Sequence, residues 1–215
     1  MVSVNTNIAA IGAQNALAGV DGDYKEAMLR LSTGKRINGA ADDAAGLSIA
    51  NSMTAQIKGL KMASKNASDA ISLTNTVEGA LQESTNILQR MRELSVQATS
   101  DTNSGNDRVF IQDEINQLNN ELNRIANTTE FNGIGLIDGS LASSVASTSH
   151  TLIQIGIDNT ANSRLDLNNT LALDAVTAEK LGLNVLSVSA SAEALTALAS
   201  IESAIASVTA SRGKV

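Results

Sequence analysis

A long proline-free segment with apolar residues at helical spacing lies in the middle of the chain. Between Asp42 and Ser100 the steps alternate between four and three residues: Leu73, Val77, Ala80, Ser84, Ile87, Met91, Leu94 and Ala98. Such steps place side chains on one face of an α-helix. A proline in a helix interior lowers the stability of the helix by about 3 kcal/mol. Because none of the 215 residues is a proline, the sequence permits one unusually long helix. A second apolar face is predicted by Ile71, Leu81 and Leu88, so this helix needs at least two neighbours.

Three shorter segments repeat the helical spacing. The first, from Val4 to Leu31, has two stripes in different registers: Val4, Ile8 and Ile11, then Leu17, Val20, Tyr24, Ala27 and Leu31. After a predicted turn at Ser100–Asp107, the second has Ile111, Ile115, Leu118, Leu122 and Ile125. The last has Ala194, Leu198, Ile201, Ile205 and Val208. Because the turn is short, the helix after it is expected to return antiparallel to the long helix.

Two segments interrupt this helical pattern. The stretch LSTGKRINGAADDAAGLSIA, residues 31–50, contains three glycines and a basic pair and predicts a joint before the long helix, which Asp42 and Asp43 would cap. Residues His150 to Ile157 alternate as a β-strand does, and SRLDLN, residues 163–168, is the expected hairpin partner. The predicted fold is therefore mainly α: a long antiparallel helical rod, similar to a coiled-coil bundle, with a small β-hairpin element.

The composition excludes several classes of function. A net charge of −7 argues against a nucleic-acid partner, because phosphate binding normally requires a basic surface. There is no cysteine, and the one histidine, His150, is expected to be an ordinary surface residue in a Ser/Thr-rich connector. These facts remove thiolate and histidine metal sites and a histidine-centred triad. Asp42 and Asp43 do not face a common point on a helix, so we predict neither an enzyme nor a cofactor.

Membrane spans and signal peptides have recognisable patterns that this sequence does not match. No run approaches about 18 consecutive apolar residues. The start, MVSVNTNIAAIGAQNAL, lacks a basic region followed by a continuous apolar one. We therefore expect no membrane partner and no cleaved signal peptide.

Five segments together resemble bacterial flagellin, the subunit of the flagellar filament. They are VNTNIAAIGAQNAL, LSTGKRINGAADDAAGLSIA, LQRMRELSVQA, FNGIGLIDG and ALTALASIESAIASV, and they occur in the family's order. The resemblance implies an N-terminal axial helix and spoke connector at 1–41, and a rod domain with long helices and a β-hairpin region at 42–186. It further implies that 187–215 begins the returning C-terminal rod helix, truncated before the family's C-terminal axial segment.

The resemblance also implies a function and a location. Flagellins are extracellular structural proteins of the bacterial flagellum that self-assemble through helix faces and serve motility. The implied partners are other flagellin subunits, the filament cap, the hook-junction proteins and the flagellar type III export apparatus. Export through that apparatus requires no cleaved signal peptide.

One segment of the long helix, together with an acidic position on the next helix, is similar to the patch of flagellins that toll-like receptor 5 recognises. The matching residues are Arg90, Leu94, Gln97 and Glu114. In the family this surface packs between neighbouring protofilaments, so the receptor would bind the monomer. Spacing alone leaves open that Arg90, Glu93 and Gln97 form an ordinary solvated helix face. An alternative function is a non-polymerising truncated flagellin that acts as a soluble binding module or immune agonist.

Overall fold

The computed structural model describes residues 7–215, and the chain divides into two compact units with a boundary between Lys58 and Gly59. The helices are α1 (Ile8–Thr33), α2 (Ala44–Thr99), α3 (Gly105–Thr128), α4 (Leu167–Thr170) and α5 (Ser191–Arg212). The strands are β1 (Glu130–Phe131), β2 (Ile134–Gly135), β3 (Leu152–Gln154) and β4 (Arg164–Asp166). Short 3-10 turns occupy Ser147–Ser149 and Ala161–Ser163. The predicted fold class, mainly helical with a small β-hairpin element, is confirmed.

The first unit contains α1, the connector that follows it and the start of α2. The side chain of Asn7 caps α1 by accepting a hydrogen bond from the Ala10 amide at 3.1 Å. The helix ends at Gly34, whose φ of 65° is left-handed and suits a glycine at a helix C-terminus. The predicted helix began at Val4, which lies outside the described residues.

Two adjacent aspartates have different roles in the connector. The Asp43 carboxylate accepts a hydrogen bond from the Gly46 amide at 2.8 Å, so it caps α2 as the sequence predicts. The Asp42 carboxylate instead accepts from the Asn38 and Gly39 amides, at 2.9 and 3.0 Å. These two backbone donors lower the pKa of Asp42. Asp42 therefore holds the loop before the helix, and its predicted capping role is wrong.

The second unit packs α2, α3 and α5 around one apolar core. Arg90 on α2 pairs with Glu114 on α3, and Arg108 on α3 donates to the Ala98 carbonyl. Residue numbers thus fall along α3 as they rise along α2, which confirms the antiparallel return. Two ion pairs join α2 to α5 in the same antiparallel sense: Arg92–Glu202 and Glu78–Arg212. The prediction that α2 needs two neighbours is also confirmed.

The apolar stripes predicted for this unit are largely the core itself. The largest fully buried side chains are Leu81, Leu88, Met91, Leu94, Ile115, Leu122, Leu136, Ile137, Leu141, Leu167, Leu173 and Leu183. The predicted second face of α2 is wrong, because Leu81 and Leu88 belong to the same core while Ile71 is 62% exposed. Packing against two helices at once widens one buried face of α2 rather than creating two.

Two hairpins follow α3. β3 and β4 pair antiparallel with Ile153 opposite Leu165, which confirms the predicted hairpin in a shorter form. β1 and β2 form a second, unpredicted hairpin. Its turn is Asn132–Gly133 with φ values of 52° and 78°, the positive pair that a two-residue turn of this kind requires. The sequence FNG carries this signal, although a two-residue strand is too short to show alternation.

The last helix is long and apolar enough, by length and composition alone, to cross a membrane. Serine and threonine residues interrupt its apolar ones, so no continuous apolar run marks it in the sequence. Ala194, Ile201 and Val208 are buried in the core of the second unit. α5 therefore packs one face against the core of the second unit.

Candidate protein–protein interfaces

Arg90 lies at the centre of a charged cluster on the surface of α2 and α3. Its Nε and Nη2 donate to one carboxylate oxygen of Glu114, at 3.0 and 2.8 Å, and its Nη1 donates to Glu93 at 3.0 Å. Both carboxylates raise the pKa of Arg90, so the guanidinium is charged at any physiological pH. Two acceptors on different sides fix the orientation of a side chain that remains about half exposed, at 51%.

The ion pairs of this cluster orient the arginine more than they stabilise the fold. Exposed ion pairs contribute little because water and salt screen them. An arginine held in place by neighbours, however, loses less rotamer freedom when a partner binds it. The Arg90 cluster therefore presents a pre-oriented cation beside two carboxylates, which suits recognition by another protein.

The structure places the four residues that sequence analysis singled out in different settings. Arg90 and Glu114 are in direct contact, and Gln97 is exposed two helical turns from Arg90. Leu94 is only 2% exposed and packs in the apolar core. Its side chain supports the helix under the surface instead of contributing to it. The heptad position of Leu94 within the predicted apolar stripe already carries this signal.

A shallow groove lies beside this cluster. The groove has a volume of about 640 Å³ and is lined by Gln89, Arg92, Glu93, Val96 and Ile205. Arg92, one of its lining residues, forms a 3.0 Å ion pair with Glu202 of α5. Only the packing of α5 against α2 creates this groove, so no local sequence pattern predicts it.

α1 exposes a large apolar surface in the first unit. No residue of Ile8–Thr33 is buried. Leu17, Val20 and Tyr24 are 70%, 64% and 63% exposed, on the face that the helical spacing defines. Exposed apolar surface of this extent marks protein interaction sites. A helix of 26 residues with no buried side chain also gains little stability from within its own unit.

The beginning of α2 repeats this exposure. Ile49, Met53 and Ile57 follow one another at steps of four residues and are 59%, 58% and 65% exposed. Side chains at such steps share one helix face. The first unit therefore presents two apolar helix stripes, one on each of its helices, that are unoccupied within the described part of the chain.

Comparison with known proteins identifies the family. A family model described as the bacterial flagellin N-terminal helical region matches residues 4–142. The chain belongs to the bacterial flagellin family. Flagellin D of Vibrio anguillarum is 49% identical over 168 residues, which cover 78% of this chain and 43% of that protein. Flagellin B of Vibrio cholerae is 52% identical over 142 residues, covering 66% of this chain and 38% of that protein.

A solved structure agrees with this assignment to the flagellins. The crystal structure of Bacillus cereus flagellin is 29% identical, covers 69% of this chain and 79% of that chain, and superposes with a TM-score of 0.53. The flagellin resemblance inferred from the sequence is thus confirmed. The flagellin relatives are structural proteins rather than enzymes, in agreement with the prediction of no enzyme. The chain spans about two fifths of the length of the Vibrio flagellins that it matches, 43% and 38%.

Proposed function

We propose that the chain is a structural subunit of the bacterial flagellar filament, outside the cell, and that it assembles with other flagellin subunits through apolar helix faces. The observation that carries this proposal is α1, a capped 26-residue helix with every side chain exposed. The family membership supplies the kind of assembly in which such a helix finds partners.

The magnitude of the exposed surface supports assembly. Burying one large apolar side chain contributes roughly 1.5–3 kcal/mol relative to leaving it in water. α1 carries eight such exposed side chains: Ile8, Ile11, Leu17, Val20, Tyr24, Met28, Leu29 and Leu31. When two subunits associate, the loss of translational and rotational freedom costs about 4–15 kcal/mol of free energy. Even partial burial of this set offsets a large part of that cost.

We propose different structural roles for three segments of the chain. Residues 1–41 would form the axial helix and spoke connector, residues 42–186 the rod domain, and residues 187–215 the start of the returning rod helix. The Asp42 carboxylate supports the connector role, because its two hydrogen bonds give the loop at Asn38 and Gly39 a defined shape. The proposed further partners are the filament cap, the hook-junction proteins and the type III export apparatus, with export that removes no signal peptide.

Sedimentation of the purified chain tests assembly, with and without seeds of full-length flagellin and with electron microscopy of the pellet. We expect Val20→Asp to lower the pelleted fraction, because it places a charge on the apolar stripe of α1. Val185→Asp is the matched control, since Val185 is 82% exposed outside the helices. If Val20→Asp pellets as well as the unchanged chain, α1 is not an assembly surface.

We further propose that toll-like receptor 5 binds the monomer at the Arg90 cluster, with Gln97 and Glu114 in the contact and Leu94 supporting it from the core. The fixed and half-exposed guanidinium supports this proposal. Truncation of an arginine at the centre of an interface typically costs more than about 1 kcal/mol. We therefore expect Arg90→Ala to weaken receptor signalling by soluble protein by on the order of tenfold.

Arg124→Ala is the control for this receptor test. Arg124 is also an exposed arginine of the second unit and pairs with a glutamate three residues away, Glu121. Its loss should leave signalling unchanged. Equal signalling by the Arg90→Ala variant and the unchanged protein would remove the Arg90 cluster as the receptor site.

The alternative function is a soluble binding module or immune agonist that does not polymerise. The Arg90 cluster supports it as well, because receptor binding needs only the monomer. The two functions separate in the sedimentation experiment. A chain that stays monomeric with seeds present but signals through the receptor would favour the alternative, whereas seeded filaments favour the structural subunit.

A further inference from the structure

His150 is enclosed by hydrogen-bond acceptors, contrary to the surface position expected from the sequence. Its side chain is 7% exposed. Nδ1 lies 2.8 Å from a carboxylate oxygen of Asp166, and Nε2 lies 3.0 Å from the Val145 carbonyl oxygen. The expectation was wrong because Asp166 lies 16 residues away on β4, and only the β3–β4 hairpin brings it to the imidazole.

Both ring nitrogens face oxygen acceptors, so the doubly protonated imidazolium satisfies both contacts and a neutral ring satisfies only one. A neutral imidazole has one N–H donor and one acceptor nitrogen, whereas the imidazolium has two donors. The Asp166 carboxylate and the Val145 carbonyl both raise the pKa of His150, against the opposing effect of burial. Among the described residues, Asp166 is the charged group that acts on the imidazole. The positive imidazolium in turn lowers the pKa of Asp166.

The Val145 carbonyl belongs to the Ser143–Ser149 loop, which has few other attachments. Its residues are exposed apart from Val145, which is partly buried. Two backbone hydrogen bonds, Val145 to Ala142 and Ser149 to Ala146, are local to the loop and its first neighbour. Within residues 7–215, the bond from His150 to Val145 is the one hydrogen bond that ties this loop to the hairpin.

The residues on either side of the loop are anchored independently of the histidine. The Ala142 and Ser140 carbonyls accept hydrogen bonds from the Asn168 side-chain amide, at 3.1 and 2.9 Å. The Leu141 carbonyl accepts from the Leu173 amide. On the other side, Thr151 donates its amide to Asn168 at 2.9 Å. A change at His150 can therefore release the Ser143–Ser149 loop while both of its ends stay in place.

We propose that His150 is a proton-operated latch that fastens the Ser143–Ser149 loop to the β3–β4 hairpin and releases the loop when the imidazolium loses a proton. The proton leaves Nε2, because the hydrogen bond from Nδ1 to a carboxylate is the stronger, charge-assisted one. The bare Nε2 then directs its lone pair at the Val145 carbonyl oxygen, and the two acceptors repel. Asp166 keeps its contact with the histidine and continues to cap α4 through the Asn169 amide.

NMR titration of the full chain tests the latch. The one histidine of the chain gives a single imidazole Cε1–H signal, and the methyl groups of Val145 report on the loop without exchanging with water. We expect both signals to titrate with one common midpoint above pH 6.5, the ordinary pKa of histidine. Above that midpoint the Val145 methyl groups should become more mobile, while the buried methyl groups of Val188 should not respond.

Two variants make the result decisive. His150→Gln cannot change its charge, so the response of Val145 to pH should disappear. Asp166→Asn keeps a side chain that can cap α4 but removes the carboxylate, so both midpoints should move to lower pH. The latch is refuted by a Val145 response that does not share the imidazole midpoint, by one that survives in His150→Gln, or by midpoints that Asp166→Asn does not move.

Discussion

Leu88→Ala is expected to destabilise the second unit strongly. Leu88 is fully buried on α2 within the core that α3 and α5 complete. The substitution removes three carbon atoms, which at about 0.8 kcal/mol per buried methylene amounts to about 2.4 kcal/mol of lost transfer free energy. The cavity left behind raises the expected loss to about 3–4 kcal/mol, within the usual range of about 2–5 kcal/mol for this substitution.

Thermal and urea unfolding followed by circular dichroism measure this loss. For a domain of about 150–250 residues, each kcal/mol lowers the melting temperature by about 2–4 °C, so a drop of about 6–16 °C is expected. Leu60→Ala is the matched control on the same helix, because Leu60 is 55% exposed. Its effect should stay within about 0.5 kcal/mol. Similar losses for the two variants would refute the single core assigned to α2, α3 and α5.

Three further predictions concern the connector, a turn and pH. Asp43→Ala should cost about 1 kcal/mol at the start of α2, visible as faster hydrogen exchange of the Gly46 amide. Gly133→Ala should cost about 1 kcal/mol or more in urea unfolding, because φ at this position is 78°, whereas Gly105→Ala at the first residue of α3, with open space around it, should not destabilise. The His150–Asp166 pair should stabilise the protein most between pH 3.8 and 6.5. Its contribution is lost as pH rises through the raised pKa of His150 or falls through the lowered pKa of Asp166, so melting temperatures across pH should flatten in Asp166→Asn.

The long helices could be predicted because their signal is local and repeated. In α2, α3 and α5 the steps of three and four residues coincide with the buried faces, from Leu73 to Ala98 on α2 and from Ala194 to Val208 on α5. Each buried residue is specified by neighbours one turn away, so one sequence is sufficient. The β3–β4 hairpin was predictable for the same reason, since alternation is also a local pattern.

The remaining features depend on contacts between distant segments. The burial of His150 requires Asp166, and the groove beside Val96 requires α5 to lie on α2. Asp42 binds the preceding loop and Asp43 caps α2, and which aspartate does which depends on the path of the loop before the helix. Of the proposed receptor residues, the flagellin resemblance grouped Arg90 with Glu114, which the structure places in contact, but it did not separate the core residue Leu94 from the surface ones.

The position of Tyr24 gives α1 an intrinsic optical signal. The chain has one tyrosine and no tryptophan, and Tyr24 is 63% exposed on the apolar stripe of α1. Ultraviolet fluorescence of the unlabelled protein therefore originates almost entirely from this helix, and the second unit contributes next to nothing. Shielding of that emission from a dissolved quencher such as iodide would follow, in real time, how completely the first helix is covered as subunits come together.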